Sequence, residues 1–150
     1  MILYESEIEQ ITLDLLRNEN GYTVVYGPDL LEGNPAERNP NEVVLKARLR
    51  GAIERLNPRI PAEAREEAFK KVLRTQALTV IDSNEAFHRL LTEGVDVKFG
   101  IGDGKSRTDK VWLVDFNDPD NNEFLAVNQF TVVENNTNKR PDIVLFINGL

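Results

Sequence analysis

The hydrophobic periodicity of this chain changes character at Gly94, and that change limits its possible folds more than any other feature. Before Gly94, apolar residues recur every three to four positions, the repeat of one helix face. After it, Val95, Val97, Phe99 and Ile101 alternate with polar neighbours, the repeat of a strand with one buried face. Helices first and hairpin-like strands afterwards predict an α/β (α+β) fold, a mixed β-sheet flanked by helices. With 150 residues, 41% of them hydrophobic, the chain has enough apolar side chains for one core, so a single domain is expected.

The pattern divides further at its punctuation. A first helix is expected over 5–18, with Ile8, Ile11, Leu15 and Leu16 at helical spacing, Ser6 as its cap and Gly21 as its stop. A short strand at 22–26 and a polar loop at 27–40 follow. A second helix over 42–56 carries Leu45, Leu49, Ile53 and Leu56 on one stripe and stops at Asn57-Pro58. A third spans 62–77. Asp82-Ser83-Asn84 supplies caps for a fourth, which Gly94 closes. Gly102-Asp103-Gly104 reads as a hairpin turn, 111–116 as a buried strand, 124–133 as another, and 135–139 as a loop. The apolar run 142–147 reads as a central strand. Asn148-Gly149 then signals a two-residue hairpin whose returning strand lies outside residues 1–150, so a fragment incomplete at its C-terminus is expected, with an open strand edge available to a second copy.

Charge narrows the function. A net charge of −7 argues against a chain that grips nucleic acid unaided, because non-specific affinity comes from neutralising phosphates. Residues 36–74 nevertheless hold ten bases against six acids. Arg48, Arg50, Arg55, Arg59, Arg65, Lys70, Lys71 and Arg74 either line a phosphate-facing surface or form solvated helix faces. Without cysteine there is no disulfide, thiolate zinc site or thiol nucleophile. With no signal region after Met1, a cytoplasmic location is expected.

Several motifs fail on spacing. Gly100 to Ser106 lacks the four residues that a P-loop needs between its first Gly and the Gly-Lys pair, so it is expected to be a turn. The run 118–123 has Glu123 where a calcium loop needs Gly, and Gln129 where it needs Glu. His88, the one histidine, has no nucleophile motif nearby, and Trp112 is expected in the core. Asp142 differs, because a carboxylate opening an apolar strand is costly to bury unless paired or bound to a metal. On composition alone it is as readily structural as functional.

The segment from Arg140 to Leu150, Arg-Pro-Asp-Ile-Val-Leu-Phe-Ile-Asn-Gly-Leu, resembles the first half of the nuclease motif in the R (motor and nuclease) subunit of type I restriction enzymes, HsdR. Ser6-Glu7, Gly21-Tyr22, Leu56-Asn57-Pro58, Asn84-Glu85-Ala86-Phe87, Gly94-Val95 and Val127-Asn128-Gln129-Phe130-Thr131-Val132 follow the order of that family's N-terminus, so the resemblance covers nearly the whole chain. It implies a restriction-endonuclease-like fold of the PD-(D/E)xK superfamily and metal-dependent hydrolysis of double-stranded DNA. By resemblance Asp142 is a catalytic residue and Mg²⁺ ligand, and Glu7 the helix carboxylate that completes such sites, with Glu5 and Glu9 as alternatives. The family's Glu-x-Lys pair follows an Asn-Gly-Leu-Pro turn and so falls after Leu150; residues 1–150 alone are expected neither to cut DNA nor to bind Mg²⁺ tightly. The resemblance also implies ATP use only in helicase-like domains downstream, with M (methylation) and S (specificity) subunits as partners. Two rival readings are a non-catalytic assembly module of the same fold and another nuclease of the superfamily.

Overall fold

The computed structural model describes residues 4–74 and 80–150. They form an α+β fold with mixed sheets, as the switch of periodicity predicts. The chain divides into two compact units, Met1–Ala47 with Glu123–Leu150, and Arg48–Asn122. Among the described residues no helix is long and apolar enough to cross a membrane.

The first unit is built on a three-stranded sheet in the order β1-β4-β7, with β1 at Thr23–Tyr26, β4 at Phe124–Asn128 and β7 at Ile143–Ile147. β1 runs parallel to β4 and β7 antiparallel to it. Because side chains alternate along a strand, β4 sends Leu125 and Val127 to one face and Ala126 and Asn128 to the other. On the first face Leu125 and Val127 join Leu30, Leu45, Phe130 and Phe146 in a buried cluster, with the Phe130 and Phe146 rings 5.3 Å apart. Burial of each such side chain contributes about 1.5–3 kcal/mol. Helix α1 (Glu5–Asn18) packs on β1 and β4. A short helix α2 (Asp29–Glu32) lies in the segment expected to be loop, and β5 (Val132–Glu134) pairs with β6 (Thr137–Lys139).

Buried Arg38 straps the long 33–44 segment to this core. Its guanidinium donates to the carbonyls of Asn39, Glu42 and Thr131 and stacks 3.9 Å from the Phe130 ring centroid. Burial lowers the Arg38 pKa, and the Glu42 charge opposes that shift.

In the second unit, helices α3 (Lys46–Leu56), α4 (Ala62–Arg74) and α5 (Val80–Glu93) precede an antiparallel hairpin of β2 (Val95–Gly102) and β3 (Lys105–Val111). Leu49, Ala52, Ile53, Ala64, Ala68, Phe69, Val95, Val97 and Val111 are all buried, matching the helical stripes and the strand alternation. Buried Asn57 terminates α3 and ties it to the segment after β3: its Nδ2 donates to the Ile53 and Trp112 carbonyls, and its Oδ1 accepts from Trp112 N.

Some expectations need correction. Trp112 is 42% exposed, because its place in the fold is fixed through its backbone rather than its ring. The run 111–116 leaves the ladder after Val111. The Asp115 carboxylate takes the backbone N–H groups of Asn117 and Asp118, and Asn122 occupies the Asp115 backbone on both sides, so local side-chain bonds replace strand pairing. Strand 124–133 is interrupted at Gln129, whose φ is +56°, and 135–139 is no plain loop but a hairpin turned by Asn135 and Asn136, both at positive φ. Ser6 and the Asp82-Ser83-Asn84 run sit inside helices that begin earlier, at Glu5 and Val80. The expected end of the third helix at 75–77 lies outside the described residues. Among the described residues β7 pairs only with β4, which is the middle strand.

Candidate active site

Strand register decides what meets at one edge of the first unit's sheet. Tyr26 pairs with Asn128, and Asn128 with Ile143, so the C-terminal ends of parallel β1 and β4 lie beside the N-terminal end of β7. Asp142 immediately precedes β7 and is therefore carried to that edge. In sheets with parallel strands, the carboxyl ends are where ligands are usually received. Asp142 is exposed, and among the described residues its carboxylate makes no hydrogen bond or ion pair.

Helix α1 brings a second carboxylate to the same place. Glu9 and buried Leu13 are four residues apart and share a face, and Leu13 anchors that face in the unit. The Glu9 carboxylate is half-buried and accepts from two amides, Asn128 Nδ2 at 3.3 Å and Gln129 Nε2 at 3.1 and 3.2 Å from its two oxygens. A cavity of about 630 Å³ is lined by Glu5, Ile8, Glu9, Thr12, Asp142 and Ile143. Two α1 carboxylates thus share an opening with Asp142.

Glu7 sits elsewhere. Its carboxylate accepts the Tyr4 backbone N–H at 2.9 Å, closing the first turn of α1, and it does not line this cavity. Spacing explains the division: Glu5 and Glu9 are one helical turn apart, while Glu7 projects to the other side. Of Ile8, Ile11, Leu15 and Leu16, the residues expected at helical spacing, the first three are 50–53% exposed and only Leu16 is half-buried. The packing face instead follows Glu9, Leu13 and half-buried Leu16, an i, i+4, i+7 series visible in the sequence.

Gln129 and Asn128 were not assigned a role by spacing, and the backbone is what reveals them. Gln129 is a non-glycine residue in the left-handed region, and its N–H donates to the Asp142 carbonyl at 2.8 Å. Gly27 makes this possible, since a Cβ there would stand 2.4 Å from the Gln129 carbonyl oxygen.

Among the described residues no group of three or more His, Cys, Asp and Glu is gathered closely enough to hold a metal ion.

The opposite end of β7 closes as the sequence predicts. Asn148 and Gly149 have φ of 54° and 85°, both positive as a type I′ turn requires, and Ile147 and Leu150 exchange two 3.0 Å backbone hydrogen bonds.

Comparison with known proteins identifies the family. Residues 2–150 match the family model described as Type I restriction enzyme R protein N terminus. The chain is 37% identical over 152 residues to the Type I restriction enzyme HindI endonuclease subunit of Haemophilus influenzae, an alignment covering 99% of this chain and 14% of that protein. It is 32% identical over 146 residues to the Putative type I restriction enzyme MjaIXP endonuclease subunit of Methanocaldococcus jannaschii, covering 95% of this chain and 14% of that one. The chain therefore spans about a seventh of the length of these relatives, and it belongs to the type I restriction enzyme R protein N-terminal family.

Proposed function

We propose that this chain supplies part of the DNA-cleaving centre of a type I restriction endonuclease subunit, with Asp142 and Glu9 as its carboxylates on this chain. The observation that carries the reading is the cavity into which both open, at the C-terminal edge of the β1-β4 pair. Glu5, one turn before Glu9, lies within reach of the same opening. Glu7 closes the helix end and does not line the cavity, so this reading gives it no part in cleavage.

The chemistry follows from the donor set. Hydrolysis of a phosphodiester at neutral pH needs a hard cation, here Mg²⁺, to polarise the phosphoryl oxygens and lower the pKa of a water. Asp142 offers an unpaired carboxylate, which a hard cation prefers to any other side-chain donor here. Glu9 lines the same cavity with its carboxylate held by two amides, which would limit the rearrangement needed to receive an ion. A carboxylate so oriented binds an ion directly or orients a water bound to it. The Glu-x-Lys pair of the superfamily is not found in residues 1–150, and in this reading it enters the centre from the remainder of the subunit.

In the same reading the substrate is double-stranded DNA, the partners are the M and S subunits, and ATP is used outside this chain. The acidic balance fits a cutting module whose DNA is held by other parts of an assembly. Asp142→Asn, in an endonuclease subunit carrying this sequence, is expected to reduce plasmid cleavage at least ~10²-fold while leaving DNA-stimulated ATP hydrolysis intact. Cleavage at the parent rate would refute the assignment.

A further inference from the structure

We infer that Gln129 is a positioning residue that sets Glu9 and Asp142 in register for the cation. The inference rests on the cavity being the cleavage centre.

Four independent features converge on this residue. Its side-chain amide reaches both oxygens of Glu9, at 3.1 and 3.2 Å. Its backbone N–H is bonded to the carbonyl of Asp142 at 2.8 Å. Its φ of +56° is a conformation that a residue with a Cβ adopts only at a cost, so its surroundings must impose it. Gly27 leaves no room for a side chain beside the Gln129 carbonyl, and its own N–H donates to the Asn128 carbonyl at 2.8 Å. The strand ends of β1 and β4 thus clamp a strained backbone whose two donor groups act on the two carboxylate-bearing segments.

Physically, the amide acts as an outer partner of Glu9. Glu9 sits on a helix and Asp142 at a strand start, two elements with no covalent reason to hold a fixed spacing. Gln129 links them through three bonds of a single residue. Asn128 Nδ2 at 3.3 Å is the weaker second donor and cannot replace it, because it has no bond to the Asp142 peptide.

Gln129→Asn separates positioning from folding. Asn tolerates the left-handed region well, yet its amide is one methylene short of Glu9. In the endonuclease subunit carrying this chain, the melting temperature is expected to hold. The Mg²⁺ concentration for half-maximal cleavage should rise ~10- to 100-fold, the range for loss of a ligand's outer partner. Calorimetric titration with Mn²⁺ should show the same factor in Kd without turnover. Gln129→Gly, which relieves the backbone and also lacks the amide, should reproduce the shift. In a Glu9→Gln background neither substitution should add to it. Unchanged metal dependence in both variants, while Asp142→Asn still abolishes cleavage, would overturn the role of Gln129 alone. Full cleavage by both Asp142→Asn and Glu9→Gln would overturn the cavity assignment itself.

Discussion

Asn57 and Glu9 are both polar residues drawn inward, one in each unit, and they are satisfied differently. Asn57 is 4% exposed and spends both its amide groups on the chain, bonding Ile53 and Trp112. Glu9 is half-buried, takes donors from two amides and keeps acceptor capacity toward a cavity. An ionised carboxylate offers about four lone-pair sites, and internal partners fill only part of them. The contrast teaches how to tell a polar group whose bonding is complete within the chain from one with capacity left for a ligand: count what its partners leave over.

Three substitutions probe the contrast, beginning with the largest effect on stability. Asn57→Leu should cost about 2–4 kcal/mol in urea denaturation, because it removes the partner of both part-buried Trp112 backbone groups and of the buried Ile53 carbonyl. Any effect on cleavage should follow the folded fraction only. A stability loss below about 1 kcal/mol would show that Asn57 is no anchor.

Gly27→Ala addresses the other unit. The new Cβ would meet the Gln129 carbonyl at 2.4 Å, and backbone rather than a flexible side chain must give way. A destabilisation of about 1–3 kcal/mol is expected, together with a raised Mg²⁺ requirement for cleavage at temperatures where the protein stays folded. Stability loss without that second effect would separate the clamp from the site.

Glu42→Gln should show the smallest change, present at neutral pH and removed by acid. The Glu42 carboxyl is held below its ordinary pKa, first by its hydrogen bond to Lys46 and then by the Asn39 backbone N–H. A depressed carboxyl contributes stability above its unfolded value, about 4.3, and loses it as pH falls through the folded value. The Glu42→Gln protein should therefore fall slightly short of the parent at neutral pH and match it only once pH has fallen below the folded value. Equal urea midpoints at pH 7 would leave the Glu42 contacts without net effect.

Much of the fold was legible because periodicity is a local signal. Leu49 and Ile53 on α3, Val95 and Val97 on β2 and the Asn148-Gly149 turn appear where the pattern places them, whereas the helix expected from 42 begins at Lys46, after Leu45, and Ile101 at the far end of β2 is exposed. The failures have a shared physical origin in side chains that compete with the backbone ladder. Asp115 and Asn122 end a strand that apolarity alone extends to Phe116. Gln129 breaks another through a left-handed turn that no glycine marks. Asp142 was legible by resemblance, and its placement at a cavity agrees with that expectation without testing its role. The choice among Glu5, Glu7 and Glu9 needed the packing face of α1, which Leu13 sets and the more conspicuous Ile8, Ile11 and Leu15 conceal.

The Asn148-Gly149 turn also carries a chemical liability. Asn followed by Gly is the dipeptide most prone to cyclise through the next backbone nitrogen, releasing ammonia and leaving aspartate or isoaspartate. Here Asn148 is fully buried, its Oδ1 accepts from Glu123 N at 2.8 Å, and the carbonyl of Gly149 is bonded to Leu45 N at 2.9 Å. Those bonds fix the side-chain amide and withhold it from cyclisation while the turn is closed. Isoaspartate accumulating at position 148 would therefore keep time on how often the β7 turn opens during storage.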